Sequence, residues 1–130
     1  MLQKFKNFVF LISKYSGLFS LSRRLMRNKV RVLCYHGFSA RDEQLLYKPG
    51  LYIEPAAFEK RLNYLKRKGY RVLGLDEAYQ SISQQQKMHD RVVITIDDGF
   101  VNLLTEAASI LGKYDYPSTL YLTSYYFDND

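Results

Sequence analysis

Two adjacent carboxylates and one histidine are the residues of this sequence that could carry chemistry. Asp97 and Asp98 stand side by side before Gly99, and His36 follows the apolar run VRVLCY. Two charged carboxylates held this close repel each other, and a bound cation relieves the repulsion. If one carboxylate binds a divalent metal, the other can act as a general base beside it. The pair is therefore a candidate for a site that combines a metal ion with a general base.

The same residues also allow an interpretation without chemistry. Aspartate and glycine are common in turns, and an aspartate often caps the helix that follows a turn. His36 could line a substrate pocket or be a partly buried histidine bonded to the backbone. The residue types alone leave these alternatives open, and the position of each residue in the fold has to separate them.

Four apolar runs predict β-strands, and helical spacing predicts helices between them. The strands are expected at 30–35, 71–73, 91–96 and 118–123, with RVVITI the strand buried on both faces. A helix is expected from Pro55 to the glycine at 69, one near Asp76, and one from about Val101 to Leu111, closed by Gly112. The polar segment 39–50 is expected to form a long loop.

This alternation of strands and helices predicts an α/β fold with a parallel sheet. In such folds catalytic groups gather beyond the carboxyl ends of the strands, where His36, Asp97 and Asp98 are expected. A complete β/α barrel takes about 250 residues, so a chain of 130 residues is expected to supply roughly half of one or a small open sheet. Cys34, inside the first strand, is expected to belong to the core.

Residues 1–29, called the leader here, are basic and precede the predicted domain at 30–130. The leader holds seven basic residues and no acidic one, whereas the remainder holds 12 basic and 13 acidic residues. The balance argues against nucleic-acid binding by the domain. The apolar stretch FVFLI is too short to span a membrane. The leader is therefore predicted to be an amphipathic helix that lies on a membrane surface or packs on the domain, which favours the cell envelope and leaves the cytoplasm open.

Three segments resemble the polysaccharide deacetylases, the NodB-like domain of carbohydrate esterase family 4. TIDDGF at 95–100 resembles the first motif of that family, which typically reads T-F-D-D-G-Y/F. LCYH at 33–36 is similar to the family strand that ends in Tyr-His, and PSTLYL at 117–122 is similar to the strand after the motif. The resemblance covers about residues 30–127. It implies that the chain forms the N-terminal half of the family domain, which is a distorted β/α barrel.

The resemblance implies a reaction and roles for three residues. Asp97 would be the general base, Asp98 a ligand of the metal, usually zinc, and His36 a substrate-binding residue. Water deprotonated by Asp97 would attack the acetamido group of an N-acetylated sugar in a glycan. The family supplies two further metal ligands from an H-x-x-x-H motif, but this sequence holds only two histidines, His36 and His89. The chain is therefore expected to be truncated or split and inactive alone.

Other functions compete with this one. The missing histidines favour a non-catalytic module that binds a glycan or associates with a membrane through the leader. Hydrolysis of O-acetyl esters on a glycan would use the same site as N-deacetylation. A nucleotide-sugar transferase predicts a glycine-rich phosphate loop after the first strand, and the sequence has none of either common type.

Overall fold

A four-stranded parallel sheet forms the centre of the computed structural model, which describes residues 2–39, 50–87 and 89–126. The strands are β1 (Val30–Tyr35), β2 (Gly37–Phe38), β3 (Tyr52–Ile53), β4 (Arg71–Leu73), β5 (Arg91–Ile96) and β6 (Thr119–Leu120). The α-helices are α1 (Leu2–Tyr15), α2 (Leu18–Leu25), α3 (Pro55–Arg67), α4 (Leu75–Ser83) and α5 (Ala108–Tyr114), with a π-helical turn at Leu103–Ala107 and a 3-10 turn at Ser124–Tyr126. The predicted parallel α/β fold is confirmed.

β5 is the central strand of this sheet. β1 pairs with its whole length, from Val30 beside Arg91 to Tyr35 beside Ile96. On the other side, β4 pairs with the beginning of β5 and β6 with its end. The five residues 92–96 are all buried, as the near-continuous apolar run predicts. β5 therefore fixes the position of whatever follows Ile96.

Helices cover both faces of the sheet. On one face, α3, the π-helical turn and α5 pack on Tyr35, Ile94 and Ile96. The residues of α3 that pack there are spaced by three and four, as the sequence predicts, and they are Phe58, Leu62 and Leu65. On the other face, α4 packs on β4 and β5 through Leu73, Ala78 and Val93. This second cluster is small, and it leaves the carboxyl half of β1 uncovered on that face.

Cys34 was expected in the core, and this expectation is wrong. The residue is exposed. Its neighbours in the strand, Leu33 and Tyr35, face the core formed with α3, so Cys34 faces the opposite side, where the cover provided by α4 does not reach. Val32 points to the same side and is exposed as well. Among the described residues no strand pairs with the outer edge of β1.

Two other boundaries differ from the prediction. The last strand pairs over Thr119–Leu120 rather than 118–123, because β5 ends at Ile96 and offers no partner beyond the bond from the Tyr121 N–H to the Ile96 carbonyl, 2.9 Å. The predicted helix end at Gly112 is wrong too: α5 continues to Tyr114. Asp115 ends it in the left-handed region, with φ of 52°.

The predicted loop at 39–50 lies largely outside the described residues, but its two ends are joined by the short parallel pair of β2 and β3. The sequence does not predict this pair. Gly37 permits it, because a side chain there would overlap the Tyr52 ring. Beside it, Phe38 is fully buried, and its ring centroid lies 4.9 Å from that of Phe58.

The leader forms two helices rather than one. They are separated at Gly17, which has φ of 78°. α2 is attached to the domain by Arg23, which donates to the Lys68 carbonyl at 3.0 Å and to the Asp90 carboxylate at 3.4 Å. The hydrogen bond that Arg23 donates to the Asp90 carboxylate raises the pKa of the Arg23 guanidinium. No helix in the described part of the chain is long and apolar enough to cross a membrane.

Candidate functional site

The carboxyl ends of β1 and β5 bring two of the predicted residues together. The parallel register sets Tyr35 beside Ile96, so the next residue of each strand, His36 and Asp97, follows at the same edge of the sheet. The Asp97 N–H donates to the Tyr35 carbonyl at 2.8 Å, which extends the ladder by one bond. This is the strand-end position at which parallel folds hold their reactive groups.

The Asp97 carboxylate has two side-chain neighbours. Its Oδ2 atom accepts a hydrogen bond from the Cys34 Sγ at 3.2 Å and lies 3.8 Å from the His36 Nε2. The His36 and Asp97 side chains keep 35% and 34% of their surface exposed. The carboxylate is therefore oriented by its neighbours and still accessible to water and to a ligand.

Cys34 is a site residue that the sequence reasoning missed. The available signal was the period of two along a strand, which sets Cys34 on the same side of β1 as the position of His36. The surroundings of the sulfur raise the pKa of the Cys34 thiol, first through desolvation and then through the hydrogen bond to Asp97. Although the residue is exposed, its sulfur has a defined environment and a charged partner.

Asp98 begins a sharp turn after β5. Both Asp98 and Gly99 are left-handed, with φ of 68° and 69°. The left-handed conformation favours glycine at position 99. A Cβ atom there would lie 2.5 Å from the Leu122 Cδ2 atom, so the exposed Leu122 side chain would also have to move. Asp98 itself is exposed. The turn directs the backbone away from the strand immediately after the carboxylate of Asp97.

Three donor atoms converge at this strand end. One ligand atom each from Cys34, His36 and Asp97 lies within 4.8 Å of the others. Sulfur, imidazole nitrogen and carboxylate oxygen are together the donor types that suit zinc and similar divalent cations. Asp98, the predicted metal ligand, is not part of this group. The described residues thus fit a divalent cation at this edge, with a set of donors that the sequence reasoning did not name.

Comparison with known sequences gives a relative of the predicted kind. No family model matches the chain. The chain is 28% identical over 95 residues to YxkH of Bacillus subtilis, which is provisionally named a polysaccharide deacetylase. The match covers 72% of this chain and 32% of the relative. The chain therefore spans about a third of the length of this curated relative.

Solved structures give the same result for the fold. The deacetylase PplD of Streptococcus pyogenes, solved in complex with acetate, matches with a TM-score of 0.64 and 27% identity over 72% of this chain and 42% of that one. A de-N-acetylase from Aggregatibacter actinomycetemcomitans matches with a TM-score of 0.66 and 25% identity over 78% and 40%. A polysaccharide deacetylase from Bacillus cereus matches with a TM-score of 0.56 and 28% identity over 74% and 30%. The predicted resemblance is confirmed in sequence and in fold.

Proposed function

We propose that this chain, which resembles the N-terminal part of the polysaccharide deacetylases, is the part of a metal-dependent glycan N-deacetylase that supplies the catalytic base. The observation that carries the proposal is the half-exposed Asp97 carboxylate beside His36 at the end of the central strand. The chain that holds it has the sequence and the fold of deacetylases. The name of the Aggregatibacter relative, a de-N-acetylase, favours the amide over the ester as the bond that is cleaved.

Asp97 is the proposed general base. Its Oδ2 atom takes a proton from water while the water oxygen attacks the carbonyl carbon of the acetamido group. The carbon–nitrogen bond then breaks, the nitrogen takes the proton from Asp97 and leaves as the free amine, and acetate is released. The backbone bond from the Asp97 N–H to the Tyr35 carbonyl fixes the main chain from which the carboxylate projects. His36 is proposed to contact the sugar, because its side chain lies at the same open end.

The mode of metal binding that the family resemblance implies is called the family mode here. In this mode Asp98 is the proposed metal ligand, together with ligands outside the present sequence. A bound divalent cation would polarise the acetyl carbonyl oxygen. The 130 residues contain no H-x-x-x-H segment, so one carboxylate would have to hold the cation in this mode. We therefore expect no glycan deacetylation by the chain alone.

A further part of the proposal concerns the leader, which we place on a membrane surface. The apolar side chains of α1 and α2 are largely exposed, and they include Phe5, Phe8, Phe10, Leu11, Ile12, Leu18, Leu21 and Leu25. Five basic residues lie in these two helices without an acidic residue, and among the hydrogen bonds and ion pairs of the described residues only Arg23 of these five contacts the domain. Exposed apolar surface beside positive charge suits the interface of an anionic bilayer.

A chimera tests the deacetylase proposal. Residues 30–126 replace the equivalent segment of the Bacillus cereus deacetylase, and acetate release is measured on the glycan that the parent enzyme deacetylates. We expect the folded chimera to release acetate, and Asp97→Asn to lower the rate by about 10²- to 10⁴-fold, as expected when a general base is lost. Asp76→Asn, at an exposed carboxylate outside the site, is the matched control and should leave the rate unchanged.

The outcomes separate the competing functions. A folded chimera that binds zinc and releases no acetate would overturn the enzyme proposal and favour the non-catalytic module. A chimera that cleaves only O-acetyl esters on a second, O-acetylated glycan would favour the esterase. Equal rates for the Asp97→Asn and Asp76→Asn chimeras would exclude Asp97 as the base.

A further inference from the structure

We propose that Cys34, His36 and Asp97 form a thiolate-containing site for a zinc-type divalent cation, built entirely from residues of this chain. The inference rests on the proposed function in one respect only, since the site shares Asp97 with the proposed base. It differs from the family mode in its ligands, because it uses neither Asp98 nor histidines from outside the sequence.

The distances between the donor atoms suit a tetrahedral ion. In a zinc site with Zn–N and Zn–O distances of about 2.0 Å and a Zn–S distance of about 2.3 Å, neighbouring ligand atoms lie about 3.3 to 3.6 Å apart. Here the Cys34 Sγ is 3.2 Å and the His36 Nε2 3.8 Å from the Asp97 Oδ2, and all three atoms lie within 4.8 Å of one another. Small rotamer adjustments would therefore bring the three donors around one cation.

The backbone already holds the three residues close together. Cys34 pairs with Thr95 in the β1–β5 ladder, and His36 and Asp97 follow at the ends of the same two strands. Sites carried by strands are held more precisely than sites carried by loops. Thr95 is itself buried, so the neighbouring strand cannot shift easily under Cys34.

The site is also open to solvent. Cys34 is exposed, and the side chains of His36 and Asp97 are about one third exposed. A cation can therefore enter without unfolding, and a fourth position stays free, as in catalytic zinc sites with three protein ligands. Because Asp97 is one of the ligands, a cation bound here and a free Asp97 base exclude each other. A cation bound at this site would thus lower the deacetylase activity proposed above, because it occupies the Asp97 carboxylate.

Titration with cobalt(II) measures binding at this site directly, so the experiment does not depend on deacetylase activity. The full chain, reduced and free of metal, is titrated with cobalt while the sulfur-to-cobalt charge-transfer absorption is recorded. We expect one-to-one binding with a thiolate band that zinc abolishes by displacing the cobalt. Cys34→Ser should remove the band and weaken binding by about tenfold or more, because even changes outside the ligand shell cost roughly 10- to 100-fold. Asp98→Asn removes the ligand that the family resemblance implies and should keep the band. Asp76→Asn, at an exposed carboxylate outside the site, is the matched control and should keep it too.

Three outcomes would overturn the proposal. They are the absence of a thiolate band, a band of equal strength in Cys34→Ser, and binding that is lost in Asp98→Asn but kept in Cys34→Ser. Circular dichroism establishes that the variants are folded, and the exposed position of Cys34 favours this. The chimera assay depends on Asp97 and on the remainder of the parent enzyme, so failure of one experiment leaves the other interpretable.

Discussion

The turn that directs the chain away from Asp97 depends on a residue without a side chain. Gly99 is left-handed, and a Cβ atom there would meet Leu122 at 2.5 Å. We expect Gly99→Ala to lower the free energy of unfolding by about 1 to 3 kcal/mol, because strain in the left-handed region adds to the contact with Leu122. Urea denaturation measures the change.

Gly112→Ala is the control for this prediction. Gly112 lies inside α5, and no atom outside its own helix would come within 4 Å of a Cβ atom there. Alanine is better than glycine in a helix by up to about 1 kcal/mol, so this variant should be as stable as the wild type or more stable. Equal losses in both variants would mean that the turn at Gly99 tolerates a side chain.

At the scale of single residues, the sequence was informative about part of the site. It predicted that His36 and Asp97 would lie together, because the carboxyl ends of parallel strands share one edge. It did not predict Cys34, since an apolar run does not reveal which face of an edge strand stays uncovered. That depends on how far α4 extends over the sheet, which is a property of the packed structure.

At the scale of elements, the leader gives a direct test of the membrane proposal. We expect the chain to bind vesicles that contain anionic lipid and to lose affinity as salt is added. Phe8→Asp should weaken binding by about tenfold or more, because burial of a Phe side chain contributes roughly 1.5 to 3 kcal/mol. Co-sedimentation with the vesicles measures both effects.

Tyr79→Asp provides the control for the leader. Tyr79 is 71% exposed on α4, and Phe8 is 60% exposed on α1, so both changes place a charge on an exposed aromatic position. Only the change in α1 should reduce binding. Equal losses, or no binding by the wild type, would contradict the membrane proposal.

The sequence predicted an element well where burial of apolar side chains determines its position. It predicted an element poorly where pairing with another strand determines its position. The apolar run RVVITI predicted β5, and the helical spacing of apolar residues predicted α3, because both elements bury apolar side chains. β2 and β3 hold two residues each and depend on the space beside Gly37, for which the sequence gives no periodic signal. Asp115, rather than Gly112, ends α5 because aspartate tolerates the left-handed region.

At the scale of the whole molecule, the outer edge of β1 favours self-association, because no strand of the described residues pairs with it. An apolar groove of about 460 Å³ lies beside it, lined by Leu33, Tyr35, Lys60, Arg61, Tyr64 and Leu65. Unpaired edges with exposed apolar residues associate with other chains. We expect the isolated chain to self-associate as its concentration rises, and Val32→Lys to reduce this, as measured by sedimentation velocity.

Ile82→Lys controls for the added charge. Val32 is 57% and Ile82 58% exposed, but Ile82 lies on α4 and away from the edge of β1. It should therefore leave self-association close to that of the wild type. A wild-type chain that stays monomeric at all concentrations and melts cooperatively would contradict the view of this chain as half of a barrel.

The contact of α2 with the domain lies at the end of β5 opposite to Asp97. Arg23 holds α2 at Asp90, immediately before β5, whereas Asp97 stands immediately after the same strand. A strand rises about 3.3 Å per residue, so these two points are about 23 Å apart. If the leader lies on lipid, as proposed, α2 would be anchored at the amino end of β5 and Asp97 would stand at the opposite end of that strand.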